Sequence, residues 1–135
     1  MQKSKTKMTT QNLKSEKERF KEEFKQRIKK FIFDLIQFID TLPENKTCRI
    51  IGDQLMRSGT SIGANYFEAR AASSKNDFIN FFNHALKSAN ESKFWLEILI
   101  DANKCNTEIA CLLFREATEV ANILASSILT MKGKK

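Results

Sequence analysis

A chain of 135 residues, 41% hydrophobic and 29% charged, fits one globular domain around a single core, and its formal net charge of +7 is open to two readings, an arm for an anionic partner or a solvating tail. The first apolar run, residues 31–39, is nine residues long and interrupted by Asp34, which is too short to span a bilayer, and no secretory signal is expected.

One proline and four glycines leave few turn signals, and strand-like alternation never runs far, so the chain reads as all-α. Residues 1–12 are polar and basic and are expected to form a disordered tail, with a bundle domain over 13–132. In the first helix Phe20, Phe24, Ile28, Phe31, Leu35, Phe38 and Leu42 step by three and four, the spacing of a core-facing stripe. Ile32, Ile36 and Ile39 open a second apolar face, so this helix needs two neighbours, and Pro43 ends it.

The second helix is expected from about Lys46 to Ala72, with a seam of Ile51, Leu55, Ser58, Ile62, Asn65 and Ala69. Three of the four glycines, Gly52, Gly59 and Gly63, fall in this segment, where each costs a helix about 1 kcal/mol relative to Ala. The absence of side chains at Gly59 and Gly63 predicts that another backbone comes close there. Ser74 and Asp77 form a capping arrangement for a third helix, whose expected seam is Phe78, Phe81, Ala85, Ser88, Ser92, Trp95 and Leu99, widened by Phe82, Leu86 and Ala89. Asn106 or Thr107 caps the fourth, with Ile109, Leu113, Val120, Ile123 or Leu124, and Ile128 inward until Lys132 and Gly133. Four long helices with short connections make an antiparallel up-down-up-down four-helix bundle.

If helices two and three form a hairpin turning near residue 74, positions whose numbers sum to about 148 lie at one height. Arg57 then meets Glu91, Ser61 comes level with Lys87 and Ser88, Asn65 with Asn83 and His84, and Glu68 with Asn80. Arg57, Ser58, Ser61, Asn65, Glu68, Ser88 and Glu91 thus form a polar seam in which buried groups find partners, with Arg57–Glu91 setting the register.

Nucleophilic catalysis needs an oriented base and an oxyanion hole in a cleft, which Ser58, Ser61 and His84 on a bundle hairpin do not supply; no catalytic residue is assigned. Cys48, Cys105 and Cys111 are odd in number, lack C-x-x-C spacing and have one histidine for company, so no metal or cofactor site is expected. They read as reduced, mostly buried thiols of a cytoplasmic protein. The charge, by contrast, is localised: residues 1–30 hold eleven Lys/Arg against four Glu, the whole of the net charge.

The run QLMRSGTSIGANYFEA, followed by SSKNDFINFFNHALKSANESKFWLEILIDA, resembles the bacterial four-helix bundle family first known from reading frames in intervening sequences of large-subunit ribosomal RNA genes. The likeness rests on Q-L-x-R-S-x-x-S-I-x-A-N-x-x-E, on D-F-I at the start of helix three and on A-L-K-x-A-x-E-x-x-x-W-L after it. It is specific over about 54–102 and looser over 20–130, and leaves residues 1–19 outside. That family is similar in turn to the accessory variability determinant of diversity-generating retroelements, a homopentameric bundle that binds reverse transcriptase and nucleic acid. The resemblance implies a ring-like homo-oligomer, a pentamer, without catalytic activity.

The expected function is therefore a non-enzymatic, homo-oligomeric protein binding RNA or DNA non-specifically, with Lys14, Lys17, Lys21, Lys25, Arg27, Lys29 and Lys30 as phosphate contacts. The alternative from another class is a protein-binding adaptor or scaffold, such as a reverse transcriptase accessory subunit. No membrane partner is expected, because Phe20, Phe24 and Ile28 continue the core stripe.

Overall fold

In the computed structural model, which describes residues 10–133, four helices follow one another: α1 (Thr10–Asp40), α2 (Lys46–Arg70), α3 (Lys75–Asp101) and α4 (Thr107–Met131). Each packs on its two neighbours in a closed square, α1 on α2 and α4, and α3 on α2 and α4, the antiparallel bundle that the sequence predicts. Residues 1–9 of the expected tail lie outside the described residues; its last three, 10–12, are already helical.

The helix starts are chemically explicit. Asn45, Ser74 and Asn106 lie in extended backbone, and their side chains accept from the amides of Cys48, Asp77 and Ile109 at 2.8, 3.1 and 3.0 Å. At the end of α3, Asn103 adopts a left-handed φ of 58°, and the amide of Lys104 reaches back to the Leu99 carbonyl at 2.9 Å. Asn tolerates that conformation because its short polar side chain bonds locally.

Phe24, Ile28, Phe31, Leu35 and Phe38 of α1 are buried as the stripe requires, but Phe20 is 54% exposed. In α3 the inward line is Ile79, Phe82, Ala85, Ala89, Ser92, Leu96 and Leu99, so Phe78, Phe81, Ser88 and Trp95 lie half-buried on its edge. Both faces of that helix are apolar, and spacing alone does not choose between adjacent stripes. Tyr66 enters the core beside the expected Asn65, and in α4 Ala110 replaces Ile109, which is 43% exposed. Of the three thiols only Cys48 is buried; Cys105 is intermediate and Cys111 exposed.

The glycines of α2 admit side chains, not a backbone. A Cβ at Gly59 would collide with a methyl of Leu35, which is fully buried, and one at Gly63 would come within 2.8 Å of Ile32. At Gly52 the nearest atoms, on Ile39 and Leu42, lie at 3.5 and 3.6 Å, ordinary contact. The apolar faces of α1 thus sink into notches on α2. Gly59→Ala should destabilise despite the helix propensity gained, by about 1–3 kcal/mol of overpacking less about 1. Gly52→Ala should be neutral or stabilising by up to about 1 kcal/mol. Urea melts of both variants decide; equal effects would mean that Leu35 moves aside freely.

Candidate nucleic-acid interface

Six of the seven expected phosphate contacts are lysines of α1, and folding divides the set between two flanks. Arg27 faces α4, where Nε and Nη2 donate to the two oxygens of Glu116 at 2.6 and 3.0 Å, with Glu119 at 3.9 Å. That bidentate bond raises the Arg27 pKa against the opposing effect of burial. Lys30 bonds Asp34 at 2.7 Å on its own helix but stays 75% exposed, a weak surface pair. Arg27 is therefore a structural ion pair.

The other flank is the cationic one. Lys25 and Lys29 line a shallow groove between α1 and α2 with Arg70 of α2. Lys17 and Lys21 line a second groove nearer the helix start, also with Arg70, and Lys14 is exposed beyond them. Three carboxylates lie among these cations: Glu16, which lines the second groove; Glu18, 3.5 Å from Lys21 and 3.6 Å from Arg70; and Glu22, whose pKa is lowered first by its bond from Gln26 and then by Lys25, Arg70 and Lys29. Sequence reasoning missed Arg70, although helix two running antiparallel to helix one places its last turn beside the first turns of α1.

Topology then collects charge at one end of the bundle. The first two thirds of α1, residues 10–30, hold eight Lys/Arg against four Glu, and Arg70, Lys75 and Lys132 lie at the same end, on the α2–α3 turn and the close of α4, with Glu68 and Asp77 beside that turn. The described chain is joined to its terminal residues at this end, and those residues add five lysines and no acid to the sequence. At the opposite end, residues 34–53 and 97–108 hold seven Asp/Glu against three Lys/Arg.

The polar seam lies between α2 and α3 and is separate from these cations. Ser58 and Ser92 are both fully buried, with hydroxyls 2.8 Å apart, and Ser92 also donates to the Ser88 carbonyl at 2.9 Å. Ser88 donates to Ser61 at 2.9 Å, as the register arithmetic requires, whereas Asn65 bonds back to Ser61 on its own helix rather than across to Asn83 or His84. Glu68 is exposed and outside this chain of bonds. Arg57 does bond Glu91, together with Gln54, and Trp95 Nε1 donates to Glu91 at 3.1 Å. With side chains 58% and 35% exposed, that pair is a surface feature, and the buried register lock is the serine pair instead.

Among the described residues no group of three or more His, Cys, Asp or Glu is placed to hold a metal, and no helix is long and apolar enough to cross a membrane. A profile of the family described as 23S rRNA-intervening sequence protein matches residues 20–126. A solved structure of a protein with unknown function from the S23 ribosomal protein family of Bacteroides thetaiotaomicron VPI-5482 is 37% identical, with a TM-score of 0.73, covering 78% of this chain and 97% of that one. No curated protein matches.

The two parts of the seam differ in what they contribute. Ser58→Val puts methyls where α2 and α3 lie closest and should cost about 1–3 kcal/mol. Arg57→Ala removes an exposed pair and should cost about 0.2–1 kcal/mol, less in high salt. Denaturant midpoints at two ionic strengths separate them; a larger, salt-insensitive loss at Arg57 would restore the buried-pair account.

Proposed function

We propose a function from one premise: the chain belongs to the 23S rRNA-intervening sequence protein family, whose solved relative has unknown function. The protein is a non-enzymatic, homo-oligomeric bundle that binds RNA or DNA through the phosphate backbone, using one end of each protomer. The observation that carries this reading is the gathering of Lys14, Lys17, Lys21, Lys25, Lys29, Arg70 and Lys132 at that end while the other end is acidic. Polyanions are attracted at one end and repelled at the other, which orients the encounter without reading sequence.

Self-association would cover large apolar side chains that the single bundle leaves more than half exposed on three of its helices, Phe33, Phe67 and Leu112. We take the assembly to be the pentamer that the sequence resemblance implies. Repeating one weak basic end around a ring converts it into useful affinity. A second reading, a protein-binding scaffold, has its own support: Phe94 stands edge-on to Trp95 at 4.9 Å, Trp95 shares the Glu91 carboxylate with Arg57, and Trp and Arg are enriched among the residues that dominate protein interfaces.

The experiment is a salt series of binding to structured RNA and duplex DNA, with solution mass recorded. Replacing Lys14, Lys25 and Lys29 by Gln should lower the slope of log K against log salt by about one for each phosphate no longer engaged, at unchanged mass. Replacing Lys46 and Lys104, at the acidic end, should leave the slope as it was. Absence of binding at moderate salt by the unaltered protein would turn the search to protein partners.

A further inference from the structure

The exposure of Phe20 changes what the basic end can bind. Phe20 belongs to the stripe that buries Phe24 and Ile28, yet it stands 54% exposed in a groove of about 550 Å3 together with Leu13, Lys17, Lys21, Arg70 and Phe78. Its ring is the outer member of an aromatic series. Phe20 lies nearly parallel to Phe24 at 6.3 Å; Phe24 meets Tyr66 edge-on at 5.2 Å; Tyr66 touches Phe82 at 5.7 Å; and Phe82 stacks on Phe78 at 4.7 Å. The inner rings are buried and fix the outer one, and the Tyr66 hydroxyl ties α2 to α1 by donating to the Lys21 carbonyl at 3.1 Å.

The cations lie on one side of this ring. Lys21 is on the α2 flank, beside Arg70, and Lys17 is one turn before it. Glu16 also lines the groove, but eleven residues before Arg27 it falls on the α4 flank, away from Arg70. An exposed aromatic side chain bordered by a row of cations on one side is the arrangement that takes an unpaired base against the ring and its flanking phosphates against the charges. Along that border a polyanion meets opposite charge.

We propose that this groove is a binding site for single-stranded nucleic acid, in which one unpaired base stacks on Phe20 and the adjoining phosphates engage Lys17, Lys21 and Arg70. It rests on the reading of the basic end as a phosphate-binding surface and adds to it a preference for unpaired over duplex strands. A duplex keeps its base faces stacked on one another and has none to offer the ring. Binding displaces Glu18 from Lys21 and Arg70, so the exchange of one anion for another is part of the site.

The test uses the full-length protein with a short single-stranded oligonucleotide carrying 2-aminopurine, in ribose and deoxyribose forms, and a duplex of equal length. The unaltered protein should quench the 2-aminopurine fluorescence and prefer either single strand to the duplex. Phe20→Ala should weaken single-strand binding about tenfold and abolish the quenching, with duplex binding unchanged, since stacking on one aromatic side chain is worth roughly that much. Phe20→Tyr should retain both, and the exposure of the side chain means that neither variant should shift the thermal midpoint greatly. The inference is overturned if Phe20→Ala alters single-strand and duplex affinity equally or not at all, or if it lowers the solution mass, which would make the groove a contact between copies. If the unaltered protein binds neither form, the reading beneath it fails, and this inference with it.

Discussion

Two adjacent residues of α2, Ser58 and Gly59, hold the bundle together by being small. Ser58 turns toward α3 and Gly59 toward α1, one step along a helix having carried the chain a quarter of the way round its axis. Ser58 meets Ser92 hydroxyl to hydroxyl, which requires α2 and α3 to approach closely, and Gly59 leaves the notch that Leu35 fills. Both registers are set at one height of one helix. The hydroxyls matter because a buried polar atom without a partner is costly, and this alignment lets Ser58 bond Ser92 and Ser88 bond Ser61 across the seam in addition to the carbonyls Ser58 and Ser92 reach on their own helices.

With those registers set, the placement of charge follows. An antiparallel bundle of four helices returns the chain to the end at which it started, so a basic first helix and a lysine-bearing close of the fourth are brought to one end although they are far apart in sequence. The turn between α2 and α3 adds Arg70 and Lys75 there. The same registration draws Glu116 and Glu119 up against Arg27, taking the most geometrically selective cation out of the exposed set. The surface that remains is lysine-rich, suited to sequence-independent phosphate contact, and Arg70, an arginine from α2, lines the aromatic groove.

Much of this was readable in the residues because the fold depends on spacing. The stripe from Phe24 to Phe38, the caps at Ser74 and Asn106, and the break at Pro43 are local signals with local causes, and each appears where the spacing predicts. The pairing of Arg57 with Glu91 and of Ser61 with Ser88 came from arithmetic on a single turn, which works because both helices rise equally per residue. The same arithmetic misplaced Asn65, since an amide long enough to reach its own preceding turn does not need a partner across the seam. Ile79 and Leu96 were missed because α3 has apolar residues on adjacent faces, and which face turns inward depends on what α2 and α4 present to it.

The sequence by itself determined the four helices, their order, the antiparallel pairing of the middle two and the concentration of positive charge before residue 31, all of which follow from periodicity, capping and composition. Tertiary structure alone decided which cations stay open to a partner, that Gly59 and Gly63 accept Leu35 and Ile32 rather than a backbone, and that Phe20 stands in a groove instead of the core. The reason is physical. Exposure and partnership are properties of the space between helices, and a stripe on one helix is buried only as far along its length as its neighbours cover it.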